Sequence, residues 1–351
     1  KKLFLVRKFD YSFLKDKVPG KIVSLLSIVY DINGKEITRI AASPSLFNKL
    51  KKKAIRDSIK ASNAIENIHT TEKRINDIAN GDDFAYTHPE KEIIGYRNAL
   101  NNIHAFNEMI IFDETSILAL HKQLLDVAEV GGRGNYKKEP NVISEKRNSK
   151  SHVIFVPVPP KDVKESMEQV LLAYKEAIHD PEINPLLLIP CFILDFLCIH
   201  PFDDGNGRMS RLLTLLLLYK TGFDIGRFIS IEKVINETKD EYYAALYKSS
   251  VGWHENENDY TPFMLYMIQV LYRCYKLLDE NVFNQIDKKL NKSQRIEHVL
   301  LNTFVPLTKQ QILDQLPDVS ENLVETILSK LIKEEKIIKI GSYKDAMYYR
   351  K

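Results

Sequence analysis

A mainly α-helical protein is predicted by two features of the sequence. Apolar residues recur at spacings of three and four, as in Leu171, Tyr174 and Ile178 or Phe263, Met267, Val270 and Cys274, the one-faced pattern of a helix. Long alternations of Val, Ile and Thr, which would announce half-buried strands, are scarce. The 351 residues exceed the span of a usual single domain, so two or three folding units are expected, each with its own core. A composition of 44% hydrophobic and 28% charged residues, with 13 Gly and 14 Pro, excludes the collagenous, mucin-like and disordered classes. The net charge of +3 lacks the basic excess that a nucleic-acid partner demands.

The apolar run Leu3 to Val6 is broken by Arg7 and Lys8, short of the ~7–15 residues of a secretory signal. The longest apolar segment, Leu186 to Ile199, contains Asp195 and is shorter than the ~18–20 residues that span a bilayer, so it is expected to be a buried core helix, with no membrane partner. Cys191, Cys198 and Cys274 lie in apolar stretches without metal or redox spacing. They read as buried thiols of a reducing, cytoplasmic compartment.

Three regions are expected, at 1–92, 93–283 and 293–351. In the first, Ile55, Ile59, Ser62 and Glu66 follow spacings of four, three and four, so a helical stripe starts apolar and ends in an inward carboxylate that needs a cationic partner. In the second, Val142-Ile143 and Val153-Ile154-Phe155-Val156 are β-prone pieces separated by the polar run Ser144 to His152, and Pro157, Pro159 and Pro160 close what reads as a hairpin. The polar stretch 284–292 is the expected linker, although Ile286 and Leu290 would also suit a continuing helix. In the third, a capping box at Thr308 and Gln311 starts a short helix, Pro317-Asp318-Val319 turns, and Ser320 caps a longer helix to about Glu335. Ile337, Ile338 and Ile340 with Met347-Tyr348-Tyr349 form a second hairpin. Helix, turn, helix and wing in this order describe a winged helix.

The chemistry concentrates in His200-Pro-Phe-Asp-Asp-Gly-Asn-Gly-Arg-Met-Ser-Arg211. Proline disfavours helical geometry in the residue before it, so the buried helix should stop at His200 and present its imidazole there. Gly205 and Gly207 leave backbone N–H groups bare at the start of an amphipathic helix expected from Arg208 to about Tyr219, the recipe for a phosphate nest. Arg208 and Arg211 share a face of its first turn, where the macrodipole favours anions, so a bound anion would explain them. Asp204 beside such a site would reach phosphate through Mg²⁺.

Each piece alone is commonplace, but the string matches the signature His-Pro-Phe-x-(Asp/Glu)-Gly-Asn-Gly-Arg-x-x-Arg at every fixed position, and the sequence therefore resembles the Fic family over about residues 40–275. The resemblance implies a Fic-type helical core with a β-hairpin flap, an N-terminal helical region and a C-terminal winged helix. It implies a protein adenylyltransferase that moves AMP from ATP to a target hydroxyl, with His200 as general base and Asp204 holding Mg²⁺. Gly205, Asn206, Gly207, Arg208 and Arg211 would bind the phosphates, and Tyr243 would contact the base. The flap residues Val142, Ile143, Val153, Ile154 and Phe155 would hold the target segment by strand addition. Ser62-Asn-Ala-Ile-Glu66-Asn67 resembles the family's N-terminal inhibitory motif, with Arg211 as the partner of Glu66. The partners so implied are ATP and a protein target, with self-modification and a homodimer left open.

Other readings of the same site are AMP removal from targets, another nucleotide, or phosphate transfer. The intact Gly-Asn-Gly nest and both arginines favour a nucleotide with its triphosphate inward. A different class would be a DNA-binding regulator whose winged helix acts while the rest senses a ligand. Its recognition segment, Asp318 to Glu335, carries five acidic residues against Lys330 and Lys333, a net of −3, which disfavours duplex binding.

Overall fold

The structure is a computed structural model in which residues 7–16, 18–147, 150–287, 291–303, 306–342 and 346–351 are described. The run Leu3 to Val6 and part of the expected linker lie outside the described residues. Two compact units, Lys1–Asp279 and Glu280–Lys351, make up the chain.

The first unit carries α1 (Gly20–Gly34), α2 (Glu36–Ala42), α3 (Pro44–Ile65), α4 (Glu72–Ala79), α5 (His88–Phe106) and α6 (Glu114–Asp126). Then come the hairpin strands β1 (Ile143–Arg147) and β2 (Lys150–Phe155), followed by α7 (Pro160–Ile178), α8 (Pro185–Ile199) and α9 (Asn206–Lys220). It closes with α10 (Ile231–Glu237), α11 (Lys239–Ser250) and the greater part of α12 (Thr261–Asp287), which runs past the division between the units at Asp279. Helix starts follow local chemistry. Thr71, Thr87, Asp113 and Asn184 each accept a first-turn backbone N–H, and a proline stands at N1 or N2 of the helices that Thr87 and Asn184 open. The expected mainly helical class is the one found.

Helix α8 is the centre. Every residue from Leu186 to Ile199 is buried, and it packs between α7 and α9. Its Asp195 is fully buried and accepts hydrogen bonds from Tyr11 Oη at 2.8 Å, Trp253 Nε1 at 2.7 Å and Tyr260 Oη at 3.0 Å, with Arg7 at 3.7 Å. A buried carboxylate is tolerated only when so partnered. Burial nonetheless pushes its pKa up, against the Arg7 guanidinium and the three donors. Cys191, Cys198 and Cys274 are free and buried.

Three details differ from the sequence pattern. Helix α9 starts at Asn206 rather than Arg208 and is buried nearly all round rather than amphipathic, because α3, α5, α6 and α8 all pack on it. The polar run Ser144 to His152 is largely paired backbone, in the antiparallel register Ser144↔Val153 to Arg147↔Lys150 with an irregularity between Ile143 and Ser144. A ladder is held by main-chain groups, which a pattern of side-chain polarity does not report. Helix α12 runs on through Asp287, into the stretch expected as linker.

The second unit contains α13 (Lys292–Asn302), β3 (Leu307–Thr308), α14 (Lys309–Gln315), α15 (Glu321–Lys333), β4 (Ile337–Ile340) and β5 (Met347–Arg350). Its strands form an antiparallel sheet in the order β3-β5-β4. Both bonds of the Thr308–Gln311 capping box are present, and Ser320 caps α15. Ile296, Leu300, Ile312, Leu316, Val324, Leu328, Leu331 and Ile337 make a separate core. Among the described residues no helix is long and apolar enough to cross a membrane.

Candidate active site

The site is built where α8 stops and α9 begins. His200 ends α8 in the left-handed region, φ 50° and ψ 63°. For a residue with a Cβ this conformation costs about 1–2 kcal/mol, so the surroundings must hold it there. Its Nδ1 lies 3.2 Å from the Leu197 carbonyl, which only accepts. The proton is thus assigned to Nδ1, leaving the Nε2 lone pair free. Burial pulls the His200 pKa down to about 4, against the Leu197 hydrogen bond and helped by the nearby Lys137 ammonium. The imidazole is a neutral base at pH 7.

The loop that follows is braced from inside. Asn206 Oδ1 accepts from the Phe202 N–H at 3.0 Å and its Nδ2 donates to the Phe202 carbonyl at 2.7 Å. Both ends of this amide are engaged by the loop itself, so the structure uses the Asn206 side chain as a brace. Gly205 takes φ 81° as the N-cap of α9, a geometry suited to glycine. Asp204 Oδ1 accepts from the Gly205 N–H at 2.6 Å, and its side chain is 55% exposed. Among the described residues no group of three or more His, Cys, Asp or Glu could hold a metal. A Mg²⁺ ion does not need one, since it binds through one or two carboxylates and completes its octahedron with waters and substrate phosphates. The exposed Asp204 fits that donor set.

The two arginines are nearly buried, Arg208 at 1% and Arg211 at 4% exposure. Arg208 pairs with Glu92 on α5 at 2.8 Å and with Asp204 at 3.3 Å. Arg211 donates from Nε to Ser62 Oγ and from Nη2 to the Ser62 carbonyl, both at 2.9 Å, and from Nη2 to Glu66 Oε1 at 2.8 Å. The stripe on α3 is as spaced: Ile59 and Ser62 are fully buried, Ile55 half-buried, and Glu66 caps the helix C-terminus. Burial opposes ionisation of Glu66, but Arg211 outweighs it and holds the carboxyl below its ordinary value. Lys239 Nζ donates to the Ile65 carbonyl at 2.7 Å, fixing the end of α3. Glu66 also sits over the N-terminus of α9, where a Cβ on Gly207 would come within 2.2 Å of its Oε1.

Tyr243, on α11, is 45% exposed and lies with its ring 6.0 Å from Lys239 Nζ; its neighbour Tyr242 is the one in the core. In the hairpin, Val142 and Val153 are exposed, Ile143 and Ile154 half-buried. Phe155 stacks on His254 with centroids 5.3 Å apart and planes 6° apart, and His254 Nε2 lies 2.8 Å from the Val156 carbonyl.

Sequence reasoning missed several of these supports. Glu92 faces Arg208 from another helix. His121 Nδ1 accepts from the Gly134 N–H and its Nε2–H donates to the Asp204 carbonyl, both at 3.0 Å, while its ring stacks on Phe202 at 3.6 Å. Lys137 and Asn141 hold carbonyls on either side of His200. None sits in a local motif, and only the tertiary fold assembles them.

Residues 111–218, which contain the hairpin and the whole His200 to Arg211 segment, match the family model described as Fic/DOC family. The chain is 27% identical over 218 residues to protein adenylyltransferase fic-1 of Caenorhabditis elegans, covering 58% of this chain and 38% of that protein. To protein adenylyltransferase Fic of Nematostella vectensis it is 27% identical over 185 residues, covering 50% of this chain and 36% of that one. The chain thus spans well under half the length of these curated relatives. Its fold is similar to that of a Fic family protein from Desulfovibrio desulfuricans G20, with a TM-score of 0.63 and 21% identity over 96% of this chain and 98% of that one.

Proposed function

We propose that this protein is an adenylyltransferase that moves AMP from ATP onto a hydroxyl of a protein target, and that Glu66 holds it off at rest. The observation that supports the reading is that His200, its Nδ1 turned to the Leu197 carbonyl, ends α8 six residues before α9 begins, and that the first two turns of α9 carry two buried guanidinium groups. In the reaction the target hydroxyl oxygen attacks the α-phosphorus, its proton passes to His200 Nε2, and the α–β phosphoanhydride bond breaks to release pyrophosphate. Arg208, Arg211 and the backbone N–H groups of the first turn of α9 would hold the phosphates, and Asp204 would hold Mg²⁺, which would neutralise phosphate charge. Tyr243, exposed on α11, is assigned to the base. The hairpin would take the target segment as an added strand, so that the exposed Val142 and Val153 and the half-buried Ile143, Ile154 and Phe155 place its hydroxyl.

Glu66 occupies the charge of Arg211 and the N-terminus of α9, both of which a terminal phosphate would use. Inhibition is then geometric: a nucleotide can bind but with its α-phosphorus off the line of attack. The reading also assigns residues 1–92 to the inhibitory helical region, 93–283 to catalysis and 293–351 to a winged helix with a packing or docking role, in the cytoplasm. The test is incubation of the Glu66→Gly protein, beside a lysate-only control, with soluble lysate and ATP labelled at either the α or the γ position. Protein-bound label from the α position alone supports AMP transfer; label from the γ position alone would replace it with phosphate transfer.

A further inference from the structure

His200 keeps its left-handed backbone although it is followed by proline, and besides the Asn206 brace inside the loop, carbonyls on either side of it are held by groups from one short segment between α6 and β1. The Lys137 N–H donates to the Pro201 carbonyl at 2.9 Å. Its ammonium donates to the Ile199 carbonyl at 3.4 Å and to Asn141 Oδ1 at 2.7 Å. Asn141 Nδ2 in turn donates to the Phe202 carbonyl at 3.1 Å. The carbonyls of residues 199, 201 and 202 are therefore all held from outside the motif, and His200 is the residue they bracket.

Lys137 is an unexpected residue for packing alone. It is 3% exposed, and lysine is almost never buried unless it is paired with a carboxylate. Here its side chain meets a backbone carbonyl and an amide oxygen, and burial draws its pKa down to about 8 in spite of Asp203 nearby. A group retained at such a desolvation cost is held for its directional hydrogen bonds rather than for its apolar stem. The second fact is position. Asn141 is two residues before Ile143, where the first hairpin strand starts, so one short segment carries both the root of the hairpin and the clamp on His200.

We propose that Lys137 and Asn141 are positioning residues that tie the hairpin to His200, so that a target segment registered on the hairpin is registered at the same time against the imidazole. The inference rests on the adenylyltransferase reading. Neither residue touches the nucleotide; each acts through the backbone of residues 199–202. Loss of the clamp lets His200 and the target hydroxyl drift relative to each other, and about 1 Å of misplacement is enough for a loss on the order of a hundredfold.

The experiment compares Glu66→Gly with Glu66→Gly/Lys137→Met and Glu66→Gly/Lys137→Arg, using α-labelled ATP and soluble lysate protein as acceptor. Melting temperature is recorded for each. Methionine keeps the length and apolar stem of lysine without its donors, whereas arginine keeps donors. The expected result is a fall in kcat of roughly ten- to a hundredfold for the Met variant with KM for ATP unchanged, and substantial recovery in the Arg variant. Where the Met variant does not fold, Asn141→Ala at its half-exposed position takes its place with the same expectation. Label transfer by Glu66→Gly that Lys137→Met leaves unaltered, or a loss that appears as a raised KM for ATP, would overturn the clamp alone. No transfer by Glu66→Gly itself would overturn the adenylyltransferase reading and the clamp with it.

Discussion

Glu66 Oε1 lies 2.8 Å from Arg211 Nη2 and over the α-carbon of Gly207, so one carboxylate meets both the guanidinium and the helix N-terminus expected to receive phosphate. Glu66→Gly should raise label transfer by on the order of a hundredfold, the scale of a misplaced reactant. Arg211→Ala in the same background should abolish the gain, because the phosphate grip goes with it. A time course with labelled ATP reads both, and a folded Glu66→Gly protein no more active than wild type would return Glu66 to a structural role. At pH 7 Glu66→Gln should also lower stability by about 1–2 kcal/mol. This is less than the ~3–5 kcal/mol of a fully buried pair because the Glu66 side chain is 33% exposed.

Gly207→Ala offers a contrast. The added methyl would displace the far end of Glu66 but would stand where a phosphate must come, so the variant should lose the ion pair without gaining activity. Alanine in a helix gains roughly 0.5–1 kcal/mol over glycine, which should offset part of the lost pair. High transfer by Gly207→Ala would mean that phosphate does not use this face of α9.

His200→Ala should reduce transfer by roughly 10²–10⁴-fold while ATP affinity, read as the melting-temperature shift with ATP, stays nearly unchanged. Equal loss of binding and turnover would remove His200 from the role of base.

Acid stability follows from two histidines whose folded pKa values are both about 4, His200 and His104, lowered first of all by burial. In the unfolded chain each takes a proton near pH 6.5, so between about 6.5 and 4 the unfolded state binds more protons than the folded one. The histidine contribution should therefore fall as pH drops through that window and level off below it, while Glu66, whose carboxyl burial pushes up but Arg211 holds below its ordinary value, adds a further loss at lower pH. Melting temperature against pH for wild type, His200→Gln and His104→Gln measures this, and each substitution should make the acid slope shallower. Superimposable curves would contradict the depressed values.

Asp204→Ala should raise the Mg²⁺ concentration for half-maximal transfer by roughly tenfold or more, since it removes the carboxylate assigned to the metal. A Mg²⁺ titration of the Glu66→Gly background with and without the change decides it; identical curves would place the metal elsewhere.

Much of this site is local in sequence and therefore legible there. The apolar run ending in His200-Pro201, the two glycines and the two arginines occupy consecutive positions, and the Ile59, Ser62 and Glu66 spacing places a carboxylate on an inward stripe. Apart from the Glu66–Arg211 pair, which the resemblance implied, what pairs across long separations was not legible. Glu92 finds Arg208 from 116 positions away, and His121 reaches the Asp204 carbonyl from 83. No periodicity or capping rule connects such residues; only the packing of α5 and α6 against α9 does. The hairpin was undersized for a different reason. Its polar residues pair through the main chain, and polarity alone reads as loop. Asn206 shows a third limit: its presence was evident, but whether its amide faced a ligand or the loop was a matter of rotamer and fold.

The buried Asp195 bears on how helix α8 could be excised with its surroundings. Its partners come from Arg7 and Tyr11 near one end of the chain and from Trp253 and Tyr260 far beyond the motif, all outside the segment 111–218 that matches the family model. A fragment trimmed to that span would strand a carboxylate inside an apolar helix with every one of these partners gone. A fragment limited to 111–218 is therefore expected to be less stable than one running from Arg7 through Tyr260, which keeps all four partners of Asp195.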